Sequence, residues 1–239
     1  MPANAFLIER MVFMKNPFNV LNKFEYALWI ISMLISLASF IISPSKDIMT
    51  IISSLIGVTA LIFIAKGHVA GQILTVIFAV FYGIISFFFR YYGEMITYLG
   101  MTAPIALMSV VSWIKHPYKD TSEVKVEHLN FRKVVLVSML TFIVTTAFYF
   151  ILKALGNTNL MFSTLSVATS FAASFLTFLR SPYYALAYAL NDIVLVVLWV
   201  LASIVDPSYF PMIVCFSLFL VNDIYGFISW RRMKRRQSL

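Results

Sequence analysis

Two asparagine–aspartate pairs lie deep inside apolar stretches of this 239-residue chain. Asn191-Asp192 and Asn222-Asp223 each stand within a run of about 20 mainly apolar residues, the length that crosses a bilayer. A carboxylate or amide in such a segment is costly unless it faces protein or water, so it indicates a solute path or a proton relay. The alternative is a structural role, in which each aspartate satisfies a neighbouring hydroxyl or backbone group.

Aromatic rings accompany both pairs at helical spacing. Tyr184, Tyr188 and Asn191 fall in one row of the seventh apolar run, and Asn222 shares a face of the eighth run with Tyr225. An amide beside an aromatic ring suits a planar polar solute. We therefore predict that both faces line the path of such a solute.

Four further residues complete the candidate set. Gln72 and Tyr82 share a stripe of the third apolar run, and Trp199 lies deep in the seventh. Pro104 stands in the middle of the fourth run, where proline removes a backbone hydrogen bond and kinks or loosens a helix. We interpret Pro104 as a hinge, with a static kink as the alternative.

Composition identifies the elements that must position these residues. The chain is 61% hydrophobic and 12% charged, whereas soluble domains are about 45–50% apolar and about 25% charged. We predict an all-α polytopic membrane protein with eight transmembrane helices. The predicted spans are about 26–43, 48–65, 69–89, 94–114, 134–152, 159–179, 182–203 and 209–230.

Basic residues alternate between the loops in a way that predicts topology. With eight spans, 15 of the 18 Lys and Arg residues fall on the side that holds both termini, and 3 fall on the other. This is the positive-inside pattern, so both termini are predicted to be cytoplasmic and the protein to lie in the inner membrane. The net charge of +8 follows from this placement, and it does not indicate a nucleic-acid partner.

Weak internal similarity divides the chain into two halves. Ser112-Trp113 ends the fourth run before Lys115, and Ser229-Trp230 ends the eighth before Arg231, 117 residues later. Such similarity is typical of repeat-built transporters and predicts two parallel three-helix bundles joined by a connector, in a 1+3+1+3 order. The predicted units are an N-terminal segment with an extra helix, bundle 1, a loop with the connector helix, bundle 2, and a basic tail: 1–47, 48–114, 115–158, 159–230 and 231–239.

No catalytic constellation stands out. The chain lacks a P-loop, a G-x-S-x-G elbow and an H-E-x-x-H motif. A single cysteine, Cys215, excludes a disulfide framework, and the three histidines have unrelated spacing. We therefore expect neither an enzyme, nor a metal site, nor a cofactor.

Three short motifs resemble one known family. They are Asn191-Asp192 through Trp199, Val221-Asn222-Asp223-Ile224-Tyr225-Gly226 through Trp230, and Tyr92-Gly93-Glu94-Met95. In order and spacing they resemble the PnuC-type vitamin transporters of the SWEET-like superfamily. The resemblance implies two three-helix bundles joined by an inverting helix, a homotrimer, and facilitated diffusion of nicotinamide riboside. Relatives of similar fold take thiamine, riboflavin or deoxynucleosides.

Three functional hypotheses follow. The first is a passive transporter of a nucleoside-like solute, in which asparagines bind the amide or base edge, aspartates accept from ribose hydroxyls, and rings stack. In that hypothesis the asparagines are Asn191 and Asn222, the aspartate is Asp192 or Asp223, and the stacking rings belong to Tyr184, Tyr188, Tyr225 and Trp199. The second is proton-coupled transport with the aspartates as relays. The third is a non-transporting membrane scaffold.

The predicted topology is tested by cysteine labelling in a Cys215→Ser background. In an Asp120→Cys variant, a membrane-impermeant thiol reagent should react only when it has access to the cytoplasmic side. The position lies in the long basic loop that the 15-to-3 distribution assigns to the cytoplasm. Labelling of intact cells from outside would overturn this topology.

Overall fold

A computed structural model describes residues 16–44, 47–88, 92–119, 121–157 and 159–238. Eight helices in these ranges are long and apolar enough to cross a membrane, which confirms the predicted all-α fold with eight spans. Predictions for residues 1–15 lie outside the described residues. The helices are α1 Lys23–Ile42, α2 Ile48–Ala65, α3 Val69–Phe88, α4 Tyr92–Lys115, α5 Phe131–Ala154, α6 Leu160–Phe178, α7 Tyr184–Val205 and α8 Phe210–Gln237.

Polar caps begin several of these helices where the apolar runs start. Asn22 and Glu25 form a capping box at α1, Asp47 caps α2, and Asn130 caps α5. Helix ends agree with the predicted spans within three residues, except that α8 continues seven residues past 230 to Gln237. The predicted basic tail therefore continues the last helix. Its basic side chains lie beyond the apolar span, and cations near a helix C-terminus stabilise the helix.

Six helices form a closed ring. α3 packs between α2 and α4, and α7 packs between α6 and α8. Contacts of α2 with α8 and of α4 with α6 close the ring. α1 lies outside the ring against α2 and α8, while α5 packs mainly on α6. The ring thus holds two sets of three consecutive helices, and their division into the predicted bundles and the parallel-repeat relation between them stay predictions.

Two turns at one end of the ring are built alike. Gly67 after α2 and Arg180 after α6 both have a left-handed backbone, with φ of 64° and 55°. The amide of Gly67 donates to the carbonyl of Ile64 at 2.8 Å, and that of Arg180 donates to Thr177 at 2.9 Å. This arrangement is a helix C-cap, and it occurs twice at a separation of 113 residues. We call this end, which carries Lys66, Lys115, Arg180 and Arg231, the basic end.

The repeated Ser-Trp ending closes the ring at the basic end. The Trp113 indole donates to the carbonyl of Thr177 at 3.1 Å, and the Trp230 indole donates to Ile64 at 2.7 Å. Ser229 adds a hydrogen bond to the carbonyl of Ala65 at 2.7 Å. Each tryptophan therefore binds a helix of the other half through a carbonyl that the helix end leaves without an intrahelical partner.

Residues 121–130, which we call the strap, cross the basic end and bind both turns. The Val124 amide donates to Gly67 at 2.9 Å, and the Glu127 amide donates to Arg180 at 3.0 Å. Lys133 donates to the Glu127 carboxylate at 2.8 Å, and Arg180 lies 3.3 Å from it. These cations, Lys133 above all, hold the pKa of Glu127 below its usual range. The strap thus joins the two halves through backbone and charge.

The predicted hinge coincides with a helical irregularity. Tyr98–Thr102 form a π-helical turn inside α4, and Pro104 follows in the next turn. Proline removes one backbone donor and its ring collides with the carbonyl four residues earlier, which accounts for the wider turn. Pro104 itself is exposed on the outside of the ring, whereas Tyr98 and Thr102 are buried. A hinging role for this turn stays a prediction.

Removing either indole donor should destabilise the fold. Trp113→Phe and Trp230→Phe each remove the second donor of a carbonyl that keeps its hydrogen bond from Arg180 or Gly67, at a cost of about 0.5–1.5 kcal/mol. We expect each change to lower the melting temperature in detergent by roughly 2–4 °C per kcal/mol. Tyr149→Phe, on the exposed surface of α5, is the control. Unchanged melting of both tryptophan variants would show that the indoles act only through packing.

Candidate functional site

Two carboxyl groups face each other in the middle of the ring. Asp192 of α7 and Asp223 of α8 lie within hydrogen-bonding range, and the two residues are only 2% and 3% exposed. One oxygen of Asp192, Oδ2, has no hydrogen-bond partner among the described residues. Burying such an atom is costly without a partner, so it marks the position of a missing donor or cation.

Hydroxyl groups of α6 satisfy the polar side chains of α7. Thr169 donates to the Asn191 amide oxygen at 2.9 Å, and Ser166 lies 3.5 Å from the same oxygen. Further along the helix, the hydroxyls of Ser174 and Tyr188 are 2.9 Å apart. The small hydroxyl residues therefore pack α6 closely on α7 and also hold Asn191 and Tyr188 in fixed orientations.

Glu94 also belongs to this cluster, although the sequence points to it only as part of the motif Tyr92-Gly93-Glu94-Met95. It is 8% exposed, interacts with Ser166, and has one oxygen without a partner among the described residues. Tyr98, one turn further, lies within electrostatic reach of Glu94, Asp192 and Tyr188. The sequence signal for a site role was a carboxylate at the start of an apolar run. Because Glu94 stands at the edge of that run, its position was equally typical of a residue at the membrane interface.

Two tyrosines of α7 line the cluster towards the basic end. The rings of Tyr184 and Tyr188 lie 6.2 Å apart at a steep angle, and both hydroxyls are within electrostatic reach of Asp223. Tyr184 also packs edge-on against Trp230, with 5.0 Å between ring centres. A Cβ on Gly226 would lie 3.0 Å from the Tyr184 hydroxyl, so a glycine in α8 makes room for this ring.

An aromatic layer closes the cluster from the end opposite the strap. The Trp199 indole donates to the Tyr82 hydroxyl at 3.2 Å, and the Tyr82 and Tyr98 rings are 4.3 Å apart. Phe78 and Phe216 pack around the same rings. Because the Trp113–Trp230 pair closes the basic end, the polar cluster is shut off from both ends in this conformation.

The structure separates Asn222 and Tyr225 from the other predicted site residues. The Asn222 amide donates to Ser32 of α1 at 3.3 Å and to the Leu218 carbonyl at 2.8 Å, and the Tyr225 hydroxyl donates to Glu25. Their face of α8 packs on α1, so the expectation that it lines the path with Asn191 is wrong for this conformation. Helical spacing showed that these residues share one face of α8, but it could not show which neighbouring helix covers that face.

The remaining predicted residue, Gln72, lies in the first turn of α3 near the basic end. It is 2% exposed, and its amide nitrogen has no hydrogen-bond partner among the described residues. Its contacts do not join it to Asn191 or the carboxyl pair. Within the described ranges, no group of three or more His, Cys, Asp or Glu side chains is arranged to hold a metal ion.

Comparisons with known proteins agree with this architecture. The family described as "Nicotinamide mononucleotide transporter" matches residues 47–232. The "Nicotinamide riboside transporter PnuC" of Neisseria mucosa is 25% identical over 218 residues, which are 89% of this chain and 82% of that protein. The protein of the same name from Haemophilus influenzae is 22% identical over 192 residues, 80% of this chain and 82% of that protein.

A solved structure has the same fold. The "Crystal structure of the Vitamin B3 transporter PnuC" superposes with a TM-score of 0.80 at 23% sequence identity. The match covers 97% of this chain and 98% of the other. At this identity the superposition establishes the arrangement of the eight helices.

The position of Asn222 is tested by a double-mutant cycle. Because Asn222 and Ser32 share one hydrogen bond, the melting shifts of Asn222→Ala and Ser32→Ala should not add, with a coupling of about 0.5–3 kcal/mol. Asn191→Ala combined with Ser32→Ala is the control pair, since these residues share no contact. Additive shifts for Asn222 and Ser32 would contradict the contact with α1.

Proposed function

The chain belongs to the nicotinamide mononucleotide transporter family, and we propose that it carries nicotinamide riboside across the membrane by facilitated diffusion. The observation that carries the proposal is the closed cluster of Asn191, Asp192 and Asp223 with the rings of Tyr184 and Tyr188. It offers an amide, carboxyl oxygens and aromatic side chains in a buried region between two closing layers. Those are the groups that recognise a riboside with a planar carboxamide ring.

The charges of the cluster favour the riboside over the mononucleotide. The described groups that act on Asp192 and Asp223 include no lysine or arginine. A phosphate group would meet buried carboxyl oxygens without a compensating cation, and like charges at close range cost several kcal/mol. A ligand without phosphate avoids that repulsion.

Each part of the substrate has a partner in this proposal. The Asn191 amide pairs with the substrate carboxamide, because each amide has both an N–H donor and a carbonyl acceptor for the other. Tyr188 and Tyr184 provide faces against the flat ring. Glu94 and Ser166 supply acceptors for ribose hydroxyls at the side of the cluster nearer the aromatic layer.

Transport then needs the two closing layers to open in turn. The π-helical turn before Pro104 lies in α4 beside the aromatic layer, because Tyr98 belongs to both. A helix with weakened backbone hydrogen bonds bends there at low cost, so we assign the hinge to this turn. Opening at the basic end requires the Trp113 and Trp230 hydrogen bonds to break or slide, as in alternating access.

The setting of the transporter is part of the proposal. The basic end faces the cytoplasm of a cell whose inner membrane holds the protein, since 15 of 18 basic residues lie on that side. A homotrimer would find an apolar contact surface on α5, since only 6% of the residues in the most apolar stretch of that helix are buried within the chain. Lipid covers the part of the α5 surface that is not in contact with another copy of the chain.

A second candidate, proton-coupled transport, is favoured by the adjacent carboxyl groups of Asp192 and Asp223. Paired intramembrane carboxyls are common in proton relays. The two mechanisms differ in one measurable respect: a facilitated carrier equilibrates its substrate, whereas a coupled carrier accumulates it. The uptake experiment below separates them.

Proteoliposomes whose membrane potential is held at zero should take up labelled nicotinamide riboside only until the inside and outside concentrations are equal. An imposed pH gradient should leave that end point unchanged, and accumulation above it would favour proton coupling.

Asn191→Ala should weaken substrate binding by about 1–3 kcal/mol, roughly 5- to 150-fold, because loss of the amide leaves a substrate group unpaired.

Asn222→Ala is the matched control, since Asn222 has the same side chain at similar depth but faces α1. We expect near wild-type affinity for this variant by isothermal titration. Equal weakening by both changes would move the site away from Asn191, and wild-type protein without riboside uptake would refute the proposed substrate.

A further inference from the structure

We propose that Asp192 and Asp223 together bind the positive charge of the substrate ring, and that this pair makes the transporter selective for a monocationic N-glycosyl heterocycle. The inference rests on the proposed function for its ligand. It goes further by assigning the charge of the ring, and not the ribose hydroxyls, to the carboxyl pair. It also predicts a preference between two forms of the same substrate.

The geometry of the pair points to a single negative charge. Two carboxyl groups within hydrogen-bonding range need one proton between them, because a carboxylate oxygen accepts but does not donate. The proton also removes most of the repulsion between adjacent charges in a buried site. Asp192 and Asp223 therefore carry one charge as a unit, which matches one monocation.

No described basic side chain neutralises that charge. The four ion pairs among the described residues all lie at the basic end, between Lys66 and Glu25, between Glu127 and Lys133 or Arg180, and between Arg236 and Glu123. A buried charge without a partner costs several kcal/mol. The partnerless Oδ2 of Asp192 is the atom at which a cationic ligand would relieve that cost.

Tyrosine side chains beside the pair favour a flat cation over a neutral solute. The hydroxyls of Tyr188 and Tyr98 are within electrostatic reach of Asp192, and those of Tyr184 and Tyr188 are within reach of Asp223, so the attached rings are at hand for a bound ligand. A cation near the face of a tyrosine is attracted by the electrons of the ring, most strongly when the cation is desolvated. Carboxyl oxygens combined with ring faces are thus complementary to a delocalised positive ring.

Nicotinamide riboside has this chemistry. Its ring nitrogen is bonded to the ribose carbon, so the pyridinium carries a permanent positive charge that no pH change removes. Addition of a hydride at ring carbon 4 gives the 1,4-dihydro form, which keeps the ribose and the carboxamide but is neutral. The two forms differ mainly in ring charge and therefore isolate the contribution of the carboxyl pair.

The test compares both forms on purified protein by isothermal titration. Wild-type protein should bind the pyridinium form at least about tenfold more tightly than the dihydro form, since only the former pairs with the buried carboxylate. Asp192→Asn and Asp223→Asn each leave one carboxylate beside an amide that donates as the protonated partner did, so each single variant should keep most of the preference. The double variant Asp192→Asn/Asp223→Asn removes the shared charge, and it should weaken the pyridinium form by about 10- to 100-fold and change the dihydro form by less than about threefold.

Asp206→Asn, in the exposed turn between α7 and α8, is the control and should leave both affinities unchanged. Equal binding of the two forms by wild-type protein would overturn the inference and leave the proposed substrate intact, and this comparison needs no variant. Equal weakening of both forms by the double Asn variant would contradict the inference and assign the pair to ribose or to structure. Binding of neither form by wild-type protein would instead refute the proposed function itself.

Discussion

The carboxyl pair of Asp192 and Asp223 is the constraint on which the rest of this structure depends. Two acidic groups in the middle of a membrane protein cannot face hydrocarbon, because their desolvation without partners is too costly. Enclosing them requires helices on every side, and the ring of α2, α3, α4, α6, α7 and α8 provides that enclosure. α1 and α5 lie outside the ring, so their surfaces are left to lipid or to other protein copies.

Enclosure also explains the distribution of hydroxyl residues. α6 carries buried serines and threonines on the side that faces α7, where Thr169 and Ser174 bind Asn191 and Tyr188. Small hydroxyl side chains let the two helices approach closely and at the same time supply hydrogen bonds that water cannot supply at this depth. Close packing and fixed orientation of the site residues therefore come from the same side chains.

The basic end joins the two halves by repeating one arrangement. Trp113 binds a carbonyl of α6, and Trp230 binds a carbonyl of α2, so each half closes the ring against the other. The strap adds backbone hydrogen bonds to both turns, at Gly67 and Arg180. An apolar cluster packs the same end, where Val124 and Val126 of the strap are buried with Trp113 and Trp230, so the two halves are held together here by hydrogen bonds and by apolar packing.

The sequence by itself determined the properties that depend on the chain locally. Apolar runs of bilayer length determined eight helices, and an even number of spans places both chain ends on one side of the membrane. That this side is cytoplasmic stays a prediction from the basic loops. The position of Asn191-Asp192 inside an apolar run determined that it needs a protein environment, because that need follows from residue type and depth alone.

Only the tertiary structure decided which helix covers each face. Periodicity placed Asn222 and Tyr225 on one side of α8, but α1 covers that side, while Asp223, next in sequence, points into the ring. Glu94 enters the cluster because α4 packs on α6, which spacing within α4 cannot reveal. A helical repeat determines angles about one axis, whereas a binding site depends on how several axes are arranged around a common centre.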